Sequence, residues 1–268
     1  MTEITAVDAP ILIFDSGVGG LTVLAETRKA LPAAPILFAS DQAGLPYGSK
    51  SEAEIAARVA GLLGRMSERY RPRLVCIACN TASTIALDMV REVLEIPIVG
   101  TVPAIKPAAA LTRTGTIGLL GTQATIRQSY VDRLEAQFAV GKVLLRHGAP
   151  ELVGPAEAKM RGQPVDPAAI RSAVDGLRGQ PGGDRIDTVV LACTHFPLLA
   201  KELSAAFGPD VQLIDGAAGI ARRIAVLCGD NAFPPAPRIR AVTTGDADSF
   251  GQLLPHLATY GIDQFDQF

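Results

Sequence analysis

One short motif occurs twice in the chain, and this internal repeat constrains the fold more than any other feature. Residues 75–81 read VCIACNT, and residues 189–195 read VVLACTH. Each copy is an apolar run that ends in a cysteine and continues into polar side chains. A short apolar run before a helical pattern is typical of a buried parallel strand. The repeat therefore predicts two similar α/β domains, each with one cysteine at the end of a strand.

The rest of the chain alternates short apolar runs with longer helical patterns, which predicts mostly parallel sheets with crossover helices. The predicted strands are residues 12–14, 36–39, 74–78, 116–120, 142–145, 187–192 and 211–214. The predicted helices are residues 21–31, 52–70, 84–94, 123–138, 197–207 and 217–228. We expect a first α/β domain over residues 1–101 plus 211–268 and a second over residues 102–210. We expect an approximate twofold axis to relate them, with a cleft between them.

The composition excludes several classes of protein. Hydrophobic residues make up 48% of the 268 residues and charged residues 19%, which favours a folded globular chain. A net charge of -2 indicates no basic face for nucleic acid. No apolar run approaches the roughly 18 residues that a membrane helix needs, and residues 1–9 do not resemble a signal peptide. We therefore expect a cytoplasmic protein without nucleic-acid or membrane partners, whose four cysteines are free thiols.

Polar side chains follow the predicted strands, at the point where ligands bind in open α/β sheets. Asp15 and Ser16 follow the first strand, and Asp41 follows the second. The glycines of residues 17–20 allow backbone amides at a helix start to approach a carboxylate or phosphate. The spacing is neither a dinucleotide fingerprint nor a P-loop with its lysine. The structural alternative is a plain strand-to-helix turn in which Asp15 is a cap.

The two cysteine motifs predict reactive thiols. Cys79 ends a strand before a helix, and a helix N-terminus favours the thiolate. The side chains of Asn80 and Thr81 can hold a substrate carboxylate. His195, two residues after Cys193, can orient a ligand, stabilise a thiolate or transfer a proton. The alternative is an inert core thiol and a core histidine, but two cysteines at matching positions favour the functional interpretation.

The spacing of Cys76 and Cys79 also fits a redox or zinc motif. Positions i and i+3 of a strand point to opposite faces, so we expect Cys76 to face the core while Cys79 ends the strand. Structural zinc usually needs four converging ligands. We therefore predict no metal site.

Two thiols on opposite sides of a substrate suit the inversion of an amino-acid α-carbon. One group must remove the α-proton, and a second must donate a proton to the other face. A thiolate and a thiol can fill these roles, because the ordinary thiol pKa of about 8.5 lies within reach of neutral pH. Nearby amides and hydroxyls can stabilise the carbanion.

At these residues the chain resembles the glutamate racemases of the aspartate/glutamate racemase superfamily. The matching stretches are residues 14–23, 46–48, 79–82 and 192–198. The resemblance implies two α/β domains that face each other across a cleft, and no cofactor. It also implies conversion of L-glutamate to D-glutamate for peptidoglycan synthesis.

The resemblance further implies roles for individual residues. Cys79 would act on the D-enantiomer with help from Asp15, and Cys193 on the L-enantiomer with help from His195. The residues expected to bind the substrate are Asp15, Ser16, Tyr47, Gly48, Asn80, Thr81, Thr194 and His195. Family members often carry an acidic residue in the helix after the 142–145 strand. Glu151 and Glu157 are both candidates, and neither is assigned a role, because Gly154 and Pro155 depart from the usual apolar pair.

Other functions stay open at this point. The nearest is aspartate racemase or another amino-acid racemase of the superfamily. A cysteine hydrolase that uses Cys193 and His195 would leave Cys79 without a role, and a pair of ligand-binding domains could close on an anion. The resemblance leaves open two further partners, a second copy in a homodimer and a cell-wall precursor as activator.

Overall fold

The computed structural model describes residues 7–229, 233–234 and 238–268. Within these residues the strands are β1 (Ile11–Asp15), β2 (Ile36–Ser40), β3 (Leu74–Ile77), β4 (Ile98–Gly100), β5 (Thr116–Gly121), β6 (Val143–Gly148), β7 (Thr188–Ala192), β8 (Gln212–Ile214), β9 (Ile239–Thr243) and β10 (Phe265–Gln267). The α-helices are α1 (Leu21–Ala30), α2 (Glu52–Tyr70), α3 (Asn80–Val93), α4 (Ile105–Leu111), α5 (Gln123–Ile126), α6 (Ser129–Phe138), α7 (Val153–Met160), α8 (Pro167–Arg178), α9 (Ala200–Phe207), α10 (Ala217–Cys228), α11 (Ala247–Gly251) and α12 (Leu254–Leu257).

The chain divides into two compact units, and the predicted α/β class is confirmed for both. The first unit ends at Thr101 and resumes at Ala217, and the second unit is Val102–Gly216. The sequence pattern placed the return to the first domain at residue 211. In the structure β8 pairs with β7, so residues 211–216 lie in the second unit.

The first unit is built on a six-stranded sheet in the order β10-β9-β2-β1-β3-β4, with parallel pairing throughout its described strands. All five residues of β1 are buried, as expected for a strand that lies between two others in a parallel sheet. The sequence pattern missed β4, β9 and β10. Two of these have three residues each, too few for a periodicity to stand out.

The second unit carries a parallel four-stranded sheet in the order β6-β5-β7-β8. Strand β7, which Cys193 follows, is buried along its whole length and lies beside β5, as β3 lies beside β1 in the first unit. In each sheet the carboxyl ends of these neighbouring parallel strands fall at one edge, which brings the residues that follow them together.

Several helix boundaries differ from the prediction. The helix predicted over residues 197–207 begins at Ala200, after the 3-10 turn Phe196–Leu199. Helix α3 begins at Asn80 instead of residue 84, so the motif residues after Cys79 form its first turn. The single helix predicted over residues 123–138 is divided into α5 and α6, with Arg127 and Gln128 between them. None of the helices in the described ranges has the length and apolar composition needed to cross a bilayer.

Candidate active site

Cys79 stands at the end of the β3 strand and is the N-cap of α3. Its sulfur accepts a hydrogen bond from the backbone N–H of Ala82 at 3.5 Å and lies 3.5 Å from the hydroxyl of Ser16. The side chain is buried, and the sulfur faces the positive end of the helix dipole. These are the partners that stabilise negative charge on sulfur, so the position suits a thiol that exchanges a proton.

Asp15 is the last residue of β1 and is fully buried. Its Oδ1 accepts the backbone N–H of Gly17 at 2.9 Å, and Ser40 Oγ donates to the Gly17 carbonyl at 2.8 Å. The turn needs glycine at position 20, since a Cβ there would lie 2.9 Å from the Asp15 Cβ. Asp15 therefore sits in a tightly packed strand-to-helix turn directly before Ser16, the partner of Cys79.

Cys76 lies in a different environment from Cys79. It lies inside β3 and is fully buried, as the strand geometry predicts. Burial raises the pKa of the Cys76 thiol well above its ordinary value, and the charge of Asp15 raises it further. Cys76 is therefore a neutral core thiol at physiological pH. Within the described ranges the cysteines form no disulfide bond, and no cluster of three or more His, Cys, Asp or Glu side chains could hold a metal ion.

The first turn of α3 is joined to the residue after β4. Thr101 donates its hydroxyl to Asn80 Oδ1 at 3.2 Å, and Ser83 Oγ accepts the Thr101 backbone N–H at 2.7 Å. Thr81 is buried beside them. These bonds fix the polar groups that the sequence motif predicts as substrate contacts at the same sheet edge as Cys79.

Tyr47 belongs to a buried polar cluster centred on Asp41. Tyr47 donates its hydroxyl to Asp41 Oδ2 at 2.6 Å. Arg58, on α2, donates Nε to Oδ2 at 2.5 Å and Nη2 to Oδ1 at 2.6 Å. Thr244, after β9, donates its hydroxyl to Oδ1. We call these four residues the Asp41 cluster.

The charges of the Asp41 cluster stabilise one another. Burial alone would raise the pKa of Asp41, but hydrogen bonds from Arg58, Thr244 and Tyr47 outweigh it and hold the pKa below its ordinary value. Burial and the adjacent carboxylate raise the pKa of Tyr47, so its hydroxyl stays protonated. Gly48, which follows Tyr47, is half-buried. Sequence reasoning missed Arg58 and Thr244, since no local pattern links either of them to Asp41.

In the second unit, Cys193 directly follows β7 and begins a row of three side chains. The Cys193 sulfur lies 3.9 Å from Nδ1 of His195. Nε2 of the same ring lies 2.9 Å from Oε1 of Glu157. Oε2 of Glu157 accepts Nη1 of Arg161 at 2.8 Å. Thr194 is buried between Cys193 and His195 in the chain.

The surroundings of His195 favour the protonated imidazole next to Cys193. Burial by itself would lower the pKa of His195, but the hydrogen bonds to Cys193 and Glu157 outweigh it and raise the pKa well above the ordinary value. Since Glu157 occupies Nε2, the other nitrogen is directed at the thiol. The ring can thus stabilise a Cys193 thiolate or exchange a proton with it.

The structure separates the two acidic candidates that the sequence left equal. Glu157 lies on α7, is buried and contacts His195, whereas Glu151 is half-buried in the 3-10 turn Pro150–Leu152. The available sequence signal was an acidic residue in a helix after β6, and it could not choose between them. Glu157 is therefore a site residue that the sequence prediction did not assign.

Comparisons with known proteins identify the family of this chain. The sequence model of the family described as Asp/Glu/Hydantoin racemase matches residues 21–224. A glutamate racemase from Sphingopyxis alaskensis is 62% identical over 263 residues, which are 97% of this chain and 98% of the relative. The crystal structure of Escherichia coli glutamate racemase with L-glutamate and activator UDP-MurNAc-ala superposes with a TM-score of 0.89 at 41% identity, over 97% of this chain and 98% of that one. A glutamate racemase isoform from Bacillus anthracis gives a TM-score of 0.83 at 29% identity, with 98% of both chains covered.

The family match and the glutamate racemase relatives show that this chain is an isomerase that acts on amino acids. The chain belongs to the Asp/Glu/Hydantoin racemase family.

Proposed function

We propose that this enzyme interconverts L-glutamate and D-glutamate, with Cys79 and Cys193 as its two proton-transfer groups and without a cofactor. The observation that carries the proposal is the pair of strand-end cysteines, each with partners suited to a thiolate. The proposal is supported by the structure of the E. coli relative, which contains L-glutamate. That relative is 41% identical to this chain. The two thiols act at the α-carbon, which all amino-acid substrates share. A racemase for another amino acid would therefore differ in its contacts to the substrate side chain and not in its thiols.

The reaction balances with the protein's own thiols. In the L-to-D direction, the Cys193 thiolate removes the α-proton, and the Cys79 thiol donates a proton to the opposite face of the α-carbon. Cys193 then holds the proton as a thiol, and Cys79 is left as a thiolate. Asp15 would assist Cys79, and His195 would assist Cys193 with a charge that Glu157 stabilises.

The substrate's charged groups would be held by the polar residues around the two thiols. In the first unit these are Asp15, Ser16, Asn80, Thr81, Tyr47 and Gly48, and in the second they are Thr194 and His195. Hydroxyls and backbone N–H groups that bind the α-carboxylate would also stabilise the carbanion, because charge moves into that carboxylate as the α-proton leaves.

Incubation with L-glutamate in heavy water tests the proposal. We expect D-glutamate to form with deuterium at the α-carbon. Cys79→Ala and Cys193→Ala should each abolish racemisation, whereas Cys76→Ala, which removes a neutral core thiol, should retain it if circular dichroism shows a folded protein. Racemisation at the wild-type rate by Cys79→Ala would exclude the two-thiol mechanism. Loss of wild-type activity after treatment with EDTA would exclude cofactor independence.

The row of Cys193, His195 and Glu157 favours one other candidate, a cysteine hydrolase. A nucleophile, a base and a residue that orients the base have this order in hydrolases. Such an enzyme would put no deuterium into glutamate and would not depend on Cys79. L-aspartate, assayed in parallel under the same conditions, separates a glutamate racemase from an aspartate racemase.

We further propose that the D-glutamate product supplies peptidoglycan synthesis. Cells depleted of this enzyme should then require external D-glutamate for growth. Because the E. coli relative was crystallised with the activator UDP-MurNAc-ala, the assay should be run with and without that compound. A homodimer stays a prediction that light scattering of the purified protein would test.

A further inference from the structure

We propose that Arg58 and Thr244 are positioning residues, which act through Asp41 to hold Tyr47 and Gly48 in the geometry that binds substrate. The inference rests on the proposed function, because it assigns Tyr47 and Gly48 to the glutamate site. Neither Arg58 nor Thr244 touches the residues that exchange protons. Their effect should therefore appear in substrate affinity.

The first argument is the completeness of the Asp41 cluster. Both carboxylate oxygens of Asp41 are occupied, one by Tyr47 and Arg58 and the other by Arg58 and Thr244. The two bonds from Arg58 form a planar, bidentate pair. The Asp41 side chain is fully buried, so removing the guanidinium would leave a buried charge with fewer partners. The cluster is thus a unit that one substitution can loosen.

The second argument is the packing at Gly44, which is independent of the hydrogen bonds. A Cβ at this position would collide with Asp41 Oδ2, with Arg58 Nε at 2.5 Å and with Tyr47 Cε1 at 2.8 Å. The turn Gln42–Gly44 therefore closes directly over the three side chains. The backbone at Gly44 therefore packs against the same three side chains that the hydrogen bonds join.

The third argument is what remains of Tyr47 for a substrate. Its side chain is buried, and its hydroxyl is used by Asp41. The residue opens the 3-10 turn Tyr47–Ser49, and its carbonyl accepts the N–H of Lys50 at 3.1 Å. Because the hydroxyl of Tyr47 already donates its proton to Asp41, we assign the substrate contact to backbone groups of Tyr47 and Gly48. Backbone groups have no rotamers to adjust, so their position depends on how firmly the Tyr47 side chain is held.

Helix α2 supplies a matched control for Arg58. Arg65 lies on the same helix and lines the same surface groove of about 750 Å³ as Arg58 and Thr244. It is exposed and stacks over Phe268 at 5.3 Å, with no part in the Asp41 cluster. Arg65→Gln removes the same charge from the same face and leaves the cluster intact.

The experiment measures kcat and KM for L-glutamate and for D-glutamate in the full-length wild type, Arg58→Gln, Arg58→Lys, Thr244→Val and Arg65→Gln. For Arg58→Gln we expect KM to rise about tenfold in both directions, the scale of one lost charge-assisted hydrogen bond, while kcat changes by less than about threefold. Arg58→Lys should give a smaller rise, because an ammonium cannot make the bidentate pair. Arg65→Gln should match the wild type.

A rise in KM below about threefold for Arg58→Gln, or an equal rise for Arg65→Gln, would overturn the positioning role. A purely structural clamp would instead lower thermal stability at unchanged KM. If Arg58→Gln does not fold, Thr244→Val tests the positioning role instead. A rise in its KM above about threefold supports the role, and a smaller rise overturns it. Failure of the proposed function would be visible separately, since the wild type would then not racemise glutamate.

Discussion

His195 joins Cys193 to Glu157, with Nδ1 lying 3.9 Å from the sulfur and Nε2 lying 2.9 Å from the carboxylate. All three side chains are buried. A buried imidazole would ordinarily be neutral, but the hydrogen bonds to Cys193 and Glu157 reverse that preference. The charge state of the second-unit site therefore depends in part on Glu157.

Glu157→Gln should reduce racemisation and move its pH dependence. Without the carboxylate the pKa of His195 falls, so less imidazolium faces Cys193 at neutral pH, and we expect kcat/KM to drop by about tenfold or more. The descending limb of the pH–rate profile should move to lower pH. Glu151→Gln is the control and should leave the profile unchanged. An unmoved profile in Glu157→Gln would show that His195 does not depend on this carboxylate.

The raised pKa of His195 also predicts how stability depends on pH. A group with a raised pKa in the folded state stabilises the fold fully below its unfolded value of about 6.5, and the stabilisation is lost as pH rises through the folded value. The free energy of unfolding in urea should therefore be higher for the wild type than for His195→Asn. This difference should be largest at pH 6 and should shrink toward pH 9. A difference that grows with pH would mean that His195 is buried as the neutral ring.

Asp187 should stabilise the second unit through the turn that precedes β5. Its carboxylate accepts the hydroxyl of Thr112 at 2.6 Å and the backbone N–H groups of Arg113 and Thr114 at 2.7 and 2.9 Å. Burial opposes ionisation, but these bonds outweigh it and lower the pKa of Asp187 to about 2. At pH 7, Asp187→Asn should lower the free energy of unfolding by about 2 kcal/mol.

The pH dependence provides the check on Asp187. A lowered pKa means that the stabilisation is present above the unfolded value of 3.8 and is lost as pH falls toward about 2. The free energies of unfolding of the wild type and Asp187→Asn, measured in urea, should therefore become equal in acid. Asp184→Asn, at an exposed position nearby, should track the wild type at every pH. A difference in unfolding free energy between the wild type and Asp187→Asn that stays constant down to pH 2 would contradict the stabilising role of the Asp187 carboxylate.

Gly20→Ala should disturb the turn that holds Asp15 and Ser16. The added methyl would lie 2.9 Å from the Asp15 Cβ, 3.1 Å from the Phe38 ring and 3.2 Å from the Ala78 Cβ, so the turn must shift. We expect a loss of stability of about 1–3 kcal/mol together with reduced racemisation. Gly64→Ala, with no atom within 4 Å, should leave activity unchanged and gain up to about 1 kcal/mol. Equal behaviour of the two variants would show that the turn tolerates the methyl group.

Local patterns were enough to predict the class of fold and the position of the two thiols along it. The runs before Cys79 and Cys193 are buried strands, because a continuous apolar run bounded by polar residues is typical of a parallel sheet covered on both faces. The boundary at residue 211 was placed too early for a physical reason. Whether β8 joins one sheet or the other depends on which strand lies beside it, and hydrophobicity does not distinguish them.

The sequence by itself therefore determined two α/β units with a cysteine after a strand in each, since strand burial and turn chemistry are encoded by neighbouring residues. Only the tertiary structure decided that Glu157 rather than Glu151 supports His195, and that Arg58 and Thr244 converge on Asp41. These contacts join residues 38, 17 and 203 positions apart. Contacts over such separations arise from the way strands and helices assemble, and no periodicity along the chain records them.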